Sequence, residues 1–146
     1  GSSCGLTMGP LLSPSGAACT RPPWGTLIAI DLKAGKRLWE VPFGTTRDQA
    51  PFPIWLKTGV PNLGGPIITA TGLVFIGAAT DGYLRAIDIR TGDVVWKMRL
   101  PGGGQATPMT YRLHRNGRQF LVIAAGGHEY LGTKVSDALI AFALPQ

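Results

Sequence analysis

The segment Gly25-Thr26-Leu27-Ile28-Ala29-Ile30-Asp31, followed by Gly35 and Trp39, has a close counterpart later in the same chain. The counterpart is Gly82-Tyr83-Leu84-Arg85-Ala86-Ile87-Asp88, followed by Gly92 and Trp96. Every matched residue is displaced by the same 57 positions (82 − 25). Self-similarity at such a period is the signature of a repeat architecture, so the chain is predicted to build one kind of β-unit more than once.

Each copy of the repeat predicts a β-hairpin. An apolar, β-branched run forms the first strand, and the glycine of the turn (Gly35 or Gly92) is free to take a positive φ. The carboxylate that ends the first strand, Asp31 or Asp88, can accept hydrogen bonds from the amides of the turn that follows. These four residues are therefore predicted to have structural roles.

The tryptophan of each copy is predicted to lie on an outer strand. There it can pack flat against the neighbouring unit while its indole N–H finds a backbone acceptor. The alternative for Trp39 and Trp96 is an ordinary core position in a β-sandwich. Two copies with identical internal spacing favour a repeated structural role.

The predicted fold is all-β: a partial β-propeller of about two to three four-stranded antiparallel blades. The predicted organisation is an irregular segment at 1–24, the end of one blade at 25–43, an insertion at 44–65, a full blade at 66–100 and a final incomplete blade at 107–146. Strands are predicted at 27–32, 37–41, 67–70, 73–77, 84–89, 94–100, 109–113, 119–125 and 139–144. Asn116-Gly117 is a strong hairpin-turn signal between two of them.

Composition agrees with a protein of strands and turns. Apolar residues make up 45% of the chain and charged residues 15%, beside 21 glycines and 12 prolines. The net charge of +6 is scattered rather than clustered among aromatic platforms, so no nucleic-acid partner is predicted. No apolar run approaches the roughly 20 residues that span a bilayer. Cys4 and Cys19 could form a disulfide, which the sequence alone does not establish.

Several further stretches resemble one family specifically. The chain from Gly16 onward is similar to the C-terminal portion of the membrane-bound, PQQ-dependent glucose and quinate (polyol) dehydrogenases, whose quinoprotein propellers have eight blades and a tryptophan-docking motif. The matching stretches are Pro22-Pro23-Trp24-Gly25, Thr46-Arg47-Asp48, Gly59-Val60-Pro61-Asn62-Leu63-Gly64-Gly65, Gly103-Gly104-Gln105-Ala106-Thr107-Pro108-Met109-Thr110-Tyr111, Gly126-Gly127-His128 and Leu131-Gly132-Thr133-Lys134.

The resemblance implies oxidation of an aldose or polyol hydroxyl. An Asp removes the hydroxyl proton, hydride passes to PQQ held with a divalent cation (calcium or magnesium), and the electrons pass to ubiquinone. The family's base, most of its cation ligands and its quinone contacts lie in earlier blades, so no catalytic residue is expected in these 146 residues. The resemblance places the parent protein on the periplasmic side of the bacterial inner membrane, anchored upstream of this segment and completed by the remaining blades.

Four residues carry the predicted contribution to the pocket. Asp48 matches a family position near the cofactor, where a carboxylate can orient a cation or a neighbouring basic group. Arg47 could pair with a carboxylate of PQQ. His128 matches a position tied to substrate recognition, since an imidazole can donate to and accept from sugar hydroxyls. Lys134 could face the same pocket.

A non-catalytic reading stays open beside the enzymatic one. Related repeats serve as scaffolds that bind proteins through blade faces or strand edges. A scaffold needs no converging Asp48 and His128, so side chains that point to opposite faces would favour it. Alone, the chain is expected to lack turnover.

Overall fold

The computed structural model describes residues 5, 9, 11–14, 18–51, 53 and 55–143. That part of the chain contains nine β-strands and two single-turn 3-10 helices. The strands are β1 (Thr26–Asp31), β2 (Lys36–Pro42), β3 (Ile67–Ile68), β4 (Leu73–Ile76), β5 (Tyr83–Asp88), β6 (Val94–Arg99), β7 (Met109–Arg112), β8 (Gln119–Ala125) and β9 (Ala138–Ala143). The 3-10 helices span Thr46–Asp48 and Glu129–Leu131.

The strands form three antiparallel sheets in chain order. The first sheet is β1-β2, the second is β3-β4-β5-β6 and the third is β7-β8-β9. All neighbouring strands are also neighbours in sequence, as expected of blades built one after another. The predicted all-β fold class is confirmed. None of the described residues forms a helix of the length and apolarity that crossing a bilayer requires.

The two copies of the repeat have the same strand register. Ala29 pairs with Trp39 across the first sheet, and Ala86 pairs with Trp96 across the second. A bulge follows the alanine in both copies, between Ala29 and Ile30 and again after Ala86. A bulge bends and twists a strand locally, so both copies carry the same local distortion at the same point of the repeat.

The tryptophans pack between successive sheets, as predicted for docking residues. The Trp39 indole N–H donates to the Ile89 carbonyl oxygen at 2.7 Å. A Cβ atom built on Gly92 would lie 3.0 Å from the Trp39 ring, closer than most Cβ contacts, so glycine allows the indole to approach this turn closely. Trp96 packs edge-to-face on Phe142 of the third sheet, with ring centroids 5.3 Å apart.

Two apolar cores lie at the two junctions between sheets. The first joins the β1-β2 sheet to the middle sheet through Phe43, Val60, Val74, Ile76, Ala78, Ala79 and Ile87, with Leu27 and Trp39 packed against them. The second joins the middle sheet to the third through Leu84, Leu100, Leu121, Ile123 and Ala125. Leu84 and Ile87 both belong to β5 and serve different cores, so the middle sheet is covered on both faces. Full burial of each such side chain contributes about 1.5–3 kcal/mol.

The predicted turn caps are present. Asp31 Oδ1 accepts from the amides of Lys33 (2.8 Å) and Ala34 (3.1 Å). Asp88 Oδ1 accepts from the Arg90 amide at 2.8 Å. The two turn glycines have φ values of +62° (Gly35) and +80° (Gly92), the left-handed region that side chains disfavour.

Several element boundaries differ from the prediction. β3 covers only Ile67–Ile68, because Thr69 turns its amide and hydroxyl to the Leu73 carbonyl and starts the connection to β4. The predicted β7–β8 hairpin is present, and its connection spans 113–118, because β7 ends at Arg112, one residue earlier than predicted. Asn116-Gly117 takes no positive φ; the Gly117 amide instead donates to the His114 carbonyl. Cys4 and Leu144 lie outside the described residues, so the proposed Cys4–Cys19 pairing stays a prediction.

Candidate functional site

A cleft of about 240 Å³ lies beside the junction of the second and third sheets. Four chain segments that are far apart in sequence form its walls. They are the first 3-10 helix, the β4–β5 turn, the end of β6 with the glycine-rich stretch after it, and the loop before β9. The lining residues are Asp48, Gln49, Thr80, Gly82, Arg99, Leu100, Pro101, Gly102, Gly103, Leu131, Gly132, Thr133 and Lys134.

Asp48 is held at the cleft by the turn in which it lies. Thr46 anchors this turn, since its buried hydroxyl accepts from the Leu56 amide at 2.9 Å. Asp48 Oδ1 accepts a hydrogen bond from Arg99 Nη2 at 2.8 Å. That hydrogen bond raises the pKa of the Arg99 guanidinium, which also donates to the Asp81 carbonyl at 2.7 Å. Asp48 therefore orients a neighbouring basic group.

Lys134 lines the same cleft as Asp48, although it lies 86 residues later in the chain (134 − 48). Its carbonyl accepts from the Gly103 amide at 2.9 Å, and the Gly103 carbonyl in turn accepts from Gly127. A Cβ on Gly127 would overlap Lys134, and its φ of +75° is a second reason for glycine there. These contacts fix the last loop against the glycine-rich stretch.

His128 belongs to this loop without being one of the cleft-lining residues. Its amide donates to Thr133 Oγ1 at 2.8 Å, and the Thr133 hydroxyl donates to Gln105 Oε1 at 3.1 Å. The His128 Nδ1 and Gln105 Nε2 atoms are buried and have no hydrogen-bond partner among the described residues. Thr133 thus connects His128 to the cleft wall.

Arg47 is not among the residues that line the cleft. Its Nη1 donates to the Tyr83 hydroxyl at 2.5 Å, and its guanidinium carbon lies 4.5 Å from the centroid of the Trp55 ring. The structure therefore lines one cleft with Asp48 and Lys134, places His128 in the loop that carries Lys134, and leaves Arg47 outside the lining.

The structure contains a buried ion pair beside the cleft that the sequence analysis did not predict. Asp81 is 0% exposed and accepts two hydrogen bonds from the Arg85 guanidinium, one of them 3.0 Å long. It also accepts from the amide (2.8 Å) and hydroxyl (3.1 Å) of Thr45. In the sequence Asp81 directly precedes Gly82, a pair that is typical of turns. The residue that could have indicated the pair is Arg85, because a charged residue among the apolar residues of a strand needs a partner when it is buried.

The donor set of the cleft suits an anion better than a cation. Asp48 is already engaged by Arg99, while Lys134 has no ion-pair partner in the described part of the chain. No group of three or more His, Cys, Asp or Glu side chains that could hold a metal ion occurs among the described residues. The basic residues of this lining, Arg99 and Lys134, are of the type that donates to carboxylate and hydroxyl oxygens.

Comparison with known proteins gives the same family over most of the chain. The family model described as "PQQ: Glucose/ethanol/alcohol dehydrogenase, beta-propeller domain" matches residues 1–121. The quinoprotein glucose dehydrogenase of Escherichia coli (strain K12) is 48% identical over 145 residues, which are 97% of this chain and 18% of that protein. The glycerol dehydrogenase large subunit of Gluconobacter thailandicus is 51% identical over 137 residues, 90% of this chain and 18% of the relative.

A solved structure supports the fold independently. The europium-containing methanol dehydrogenase superposes with a TM-score of 0.52 and 31% sequence identity, covering 70% of this chain and 15% of that one. The chain thus spans 18% of the length of the two relatives named above, a small part of the propeller-containing proteins that it resembles.

Proposed function

Because this chain belongs to the β-propeller family of PQQ-dependent glucose, ethanol and alcohol dehydrogenases, we propose that it supplies one wall of such an enzyme's active-site pocket. The whole enzyme would oxidise a hydroxyl of an aldose or polyol. The names of the two relatives, a glucose dehydrogenase and a glycerol dehydrogenase, support this substrate class. We further propose that the division at 1–24, 25–43, 44–65, 66–100 and 107–146 corresponds to an entry segment, successive blades and one insertion.

The cleft shared by Asp48 and Lys134 is the observation that carries the proposal. The two residues are 86 positions apart (134 − 48), and the junction of two successive sheets brings both onto one surface. Ligand sites commonly lie where such elements meet. In this proposal Asp48 holds Arg99 in place, and Arg99 and Lys134 donate hydrogen bonds to a ligand carboxylate or hydroxyl.

The cofactor proposed for the whole enzyme is PQQ with a divalent cation. When bound, PQQ supplies the oxidising quinone that accepts hydride from the substrate. This chain contributes donors toward its carboxylates, and Arg47 is a further candidate whose guanidinium would exchange the Tyr83 hydroxyl for a carboxylate. His128 would contact substrate hydroxyls. The catalytic base and most cation ligands would come from the remaining blades.

We propose ubiquinone as the electron acceptor and the periplasmic side of the inner membrane as the location of the whole protein. Both proposals rest on the family resemblance of the motif-bearing loops. Neither proposal assigns a role to the residues of the cleft.

Two measurements test the proposed function. The isolated chain, supplied with PQQ and calcium, should reduce no dye in the presence of glucose, glycerol or quinate, because the base is absent. A chimera in which this chain replaces the matching segment of the Escherichia coli glucose dehydrogenase should recover PQQ-dependent dye reduction. Turnover by the isolated chain would contradict the proposal that the catalytic base lies in the remaining blades. A chimera that folds and binds PQQ without any turnover would favour the scaffold role.

A further inference from the structure

The two ring nitrogens of His128 have different surroundings. Nδ1 is buried and has no hydrogen-bond partner among the described residues, whereas Nε2 is not one of the enclosed, unpartnered atoms. Nε2 is therefore the nitrogen that a ligand can reach. Because a neutral imidazole carries its single proton on one nitrogen or the other, the surroundings of Nδ1 decide whether Nε2 donates or accepts a hydrogen bond.

The Thr133 hydroxyl connects the backbone of His128 to the side chain of Gln105. It accepts from the His128 amide at 2.8 Å and lies 3.1 Å from Gln105 Oε1 and 3.3 Å from the His128 carbonyl oxygen. That carbonyl already accepts from the amides of Leu131 at 3.2 Å and of Thr133 at 3.3 Å, which use both of its lone pairs. The single hydroxyl proton therefore goes to Gln105 Oε1.

This hydrogen bond determines which end of the Gln105 amide is left over. With Oε1 bonded to Thr133, the free end is Nε2, a donor that is buried and has no acceptor among the described residues. A buried polar group without a partner costs about 1–3 kcal/mol. An unprotonated Nδ1 of His128 is an acceptor with the same deficit, and the same threonine links the two residues. The two unpartnered atoms are thus chemically complementary.

Glycine keeps this network compact and within the chain. A Cβ atom on Gly103 would overlap both Gln105 Oε1 and Thr133 Oγ1, so any side chain there would displace the hydrogen bond between them. The Gly103 amide also donates to the Lys134 carbonyl, and the Gly103 carbonyl accepts from Gly127, each at 2.9 Å. All of these contacts join residues of this chain, so the network requires no further blade.

We propose that Gln105 is a positioning residue that sets the tautomer of His128. Its Nε2 donates toward Nδ1 through one bridging water, which keeps Nδ1 unprotonated and places the imidazole proton on Nε2. His128 then offers a hydrogen-bond donor to an oxygen of a hydroxyl-bearing substrate. This inference deepens the proposed function and rests on it, because it takes His128 as the residue that contacts the substrate.

Nuclear magnetic resonance of the chain with nitrogen-15 in its histidines tests the tautomer. The chain has two histidines, and His114 on the exposed β7–β8 connection is the internal reference. At alkaline pH, where histidine is neutral, His128 should show the widely separated nitrogen shifts of one form, protonated at Nε2. His114 should show shifts averaged over both forms.

Gln105→Glu isolates the amide nitrogen. It keeps an oxygen for the Thr133 hydroxyl and replaces the Nε2 donor by an acceptor, so the His128 proton should move to Nδ1. Gln119→Glu, the same change in β8, is the matched control and should leave the His128 shifts unchanged. Gln105→Met removes both polar groups without adding charge, and the His128 shifts should then become averaged like those of His114.

Three spectral results would overturn the proposal. They are a His128 proton on Nδ1 in the unsubstituted chain, identical His128 shifts in that chain and Gln105→Glu, and an equal change in Gln119→Glu. The spectrum of the unsubstituted chain decides the tautomer even if a variant fails to fold. These spectra require no turnover, so their outcome is separate from that of the dye-reduction assays.

Steady-state kinetics in the chimera with the Escherichia coli glucose dehydrogenase connect the tautomer to substrate binding. Gln105→Glu should raise the KM for glucose about ten-fold, the scale of one lost hydrogen bond, and leave PQQ affinity unchanged. A role limited to folding would change neither. A KM raised by His128→Asn but not by Gln105→Glu would overturn the inference and leave the proposed function standing. A KM raised by neither substitution would count against the proposed function itself.

Discussion

The indole N–H of Trp39 donates to the carbonyl oxygen of Ile89, 50 residues further along the chain, at 2.7 Å. This bond ties the outer strand of one sheet to the turn region of the next. It therefore connects the two copies of the sequence repeat.

Trp39→Phe should test the contribution of that bond, because phenylalanine keeps an aromatic ring but loses the N–H donor, together with the five-membered ring of the indole. The Ile89 carbonyl would then have to find water at a partly buried junction. A net hydrogen bond is worth about 1 kcal/mol, so the free energy of unfolding should fall by at least about that amount, because the smaller ring also loses packing contacts. Urea denaturation followed by circular dichroism measures it. An unchanged midpoint would show that the bond contributes nothing.

Alanine substitution at the two turn glycines should separate backbone strain from the tryptophan contact. Gly35 and Gly92 share a positive φ, so each alanine costs the left-handed backbone penalty of about 1–2 kcal/mol. Only at Gly92 would the new Cβ approach an indole, at 3.0 Å; at Gly35 it meets nothing within 4 Å. Gly92→Ala should therefore be the more destabilising in thermal unfolding. Equal losses would contradict docking of Trp39.

The buried Asp81–Arg85 pair predicts a non-additive double mutant. Asp81→Leu leaves the Arg85 guanidinium buried without a carboxylate and should cost about 3–5 kcal/mol of unfolding free energy. Adding Arg85→Met should restore part of the loss, because no uncompensated charge remains. Arg37→Gln, which breaks an exposed pair with Glu40, should cost less than about 1 kcal/mol. A double mutant worse than the single one would refute this account.

The Asp88–Arg90 pair predicts a pH dependence with a definite sign. The hydrogen bond from the Arg90 side chain lowers the pKa of Asp88 below its ordinary value of 3.8. A depressed carboxyl pKa stabilises the fold above the unfolded-state value, near pH 4, and that stability is lost as the pH falls through the folded-state value.

The midpoint temperatures of thermal unfolding of the unsubstituted chain and of Asp88→Asn should therefore differ most near neutral pH and converge in strong acid. Asparagine keeps an oxygen for the Arg90 amide, so the comparison isolates the charge. In an Arg90→Gln background the difference should shrink. A gap that widens on acidification would have the wrong sign for this explanation.

Thr133 should control the order of the His128 loop. Thr133→Val removes the hydroxyl that accepts from the His128 amide and donates to Gln105, so hydrogen exchange at that amide should accelerate. Thr133→Ser keeps the hydroxyl and should restore the protection. Equal exchange in both variants would mean that the hydroxyl does not hold the loop.

Local patterns made the fold predictable from sequence. The recurring segment defined the hairpins, the carboxylates that cap their turns, and the glycines at positive φ, because each depends on residues within one hairpin. Even the docking of Trp39 followed from spacing. The β7–β8 connection was predicted to within one residue, but Asn116-Gly117 lacks the positive φ of the tight hairpin turns that this pair usually indicates.

The cleft was only partly predictable, because its contacts are non-local. Asp48 and Lys134 were singled out by resemblance, and the structure places both in its wall. Arg99 was missed, since its pairing with Asp48 spans 51 residues and leaves no local signal. Asp81 was missed for a different reason: a carboxylate before a glycine is indistinguishable from an ordinary turn until its burial is known.

The central claim is that this chain forms a wall of a dehydrogenase pocket, and the kinetics of the chimera test it most directly. In the chimera with the Escherichia coli glucose dehydrogenase, His128→Asn should raise the KM for substrate about ten-fold, the scale of one lost hydrogen bond. Asp48→Asn and Lys134→Met should lower PQQ affinity. His114→Asn, the same change on the exposed β7–β8 connection, should leave kcat and KM unchanged. Kinetics and PQQ affinity that are identical for the parent chimera and all four variants would contradict the claim.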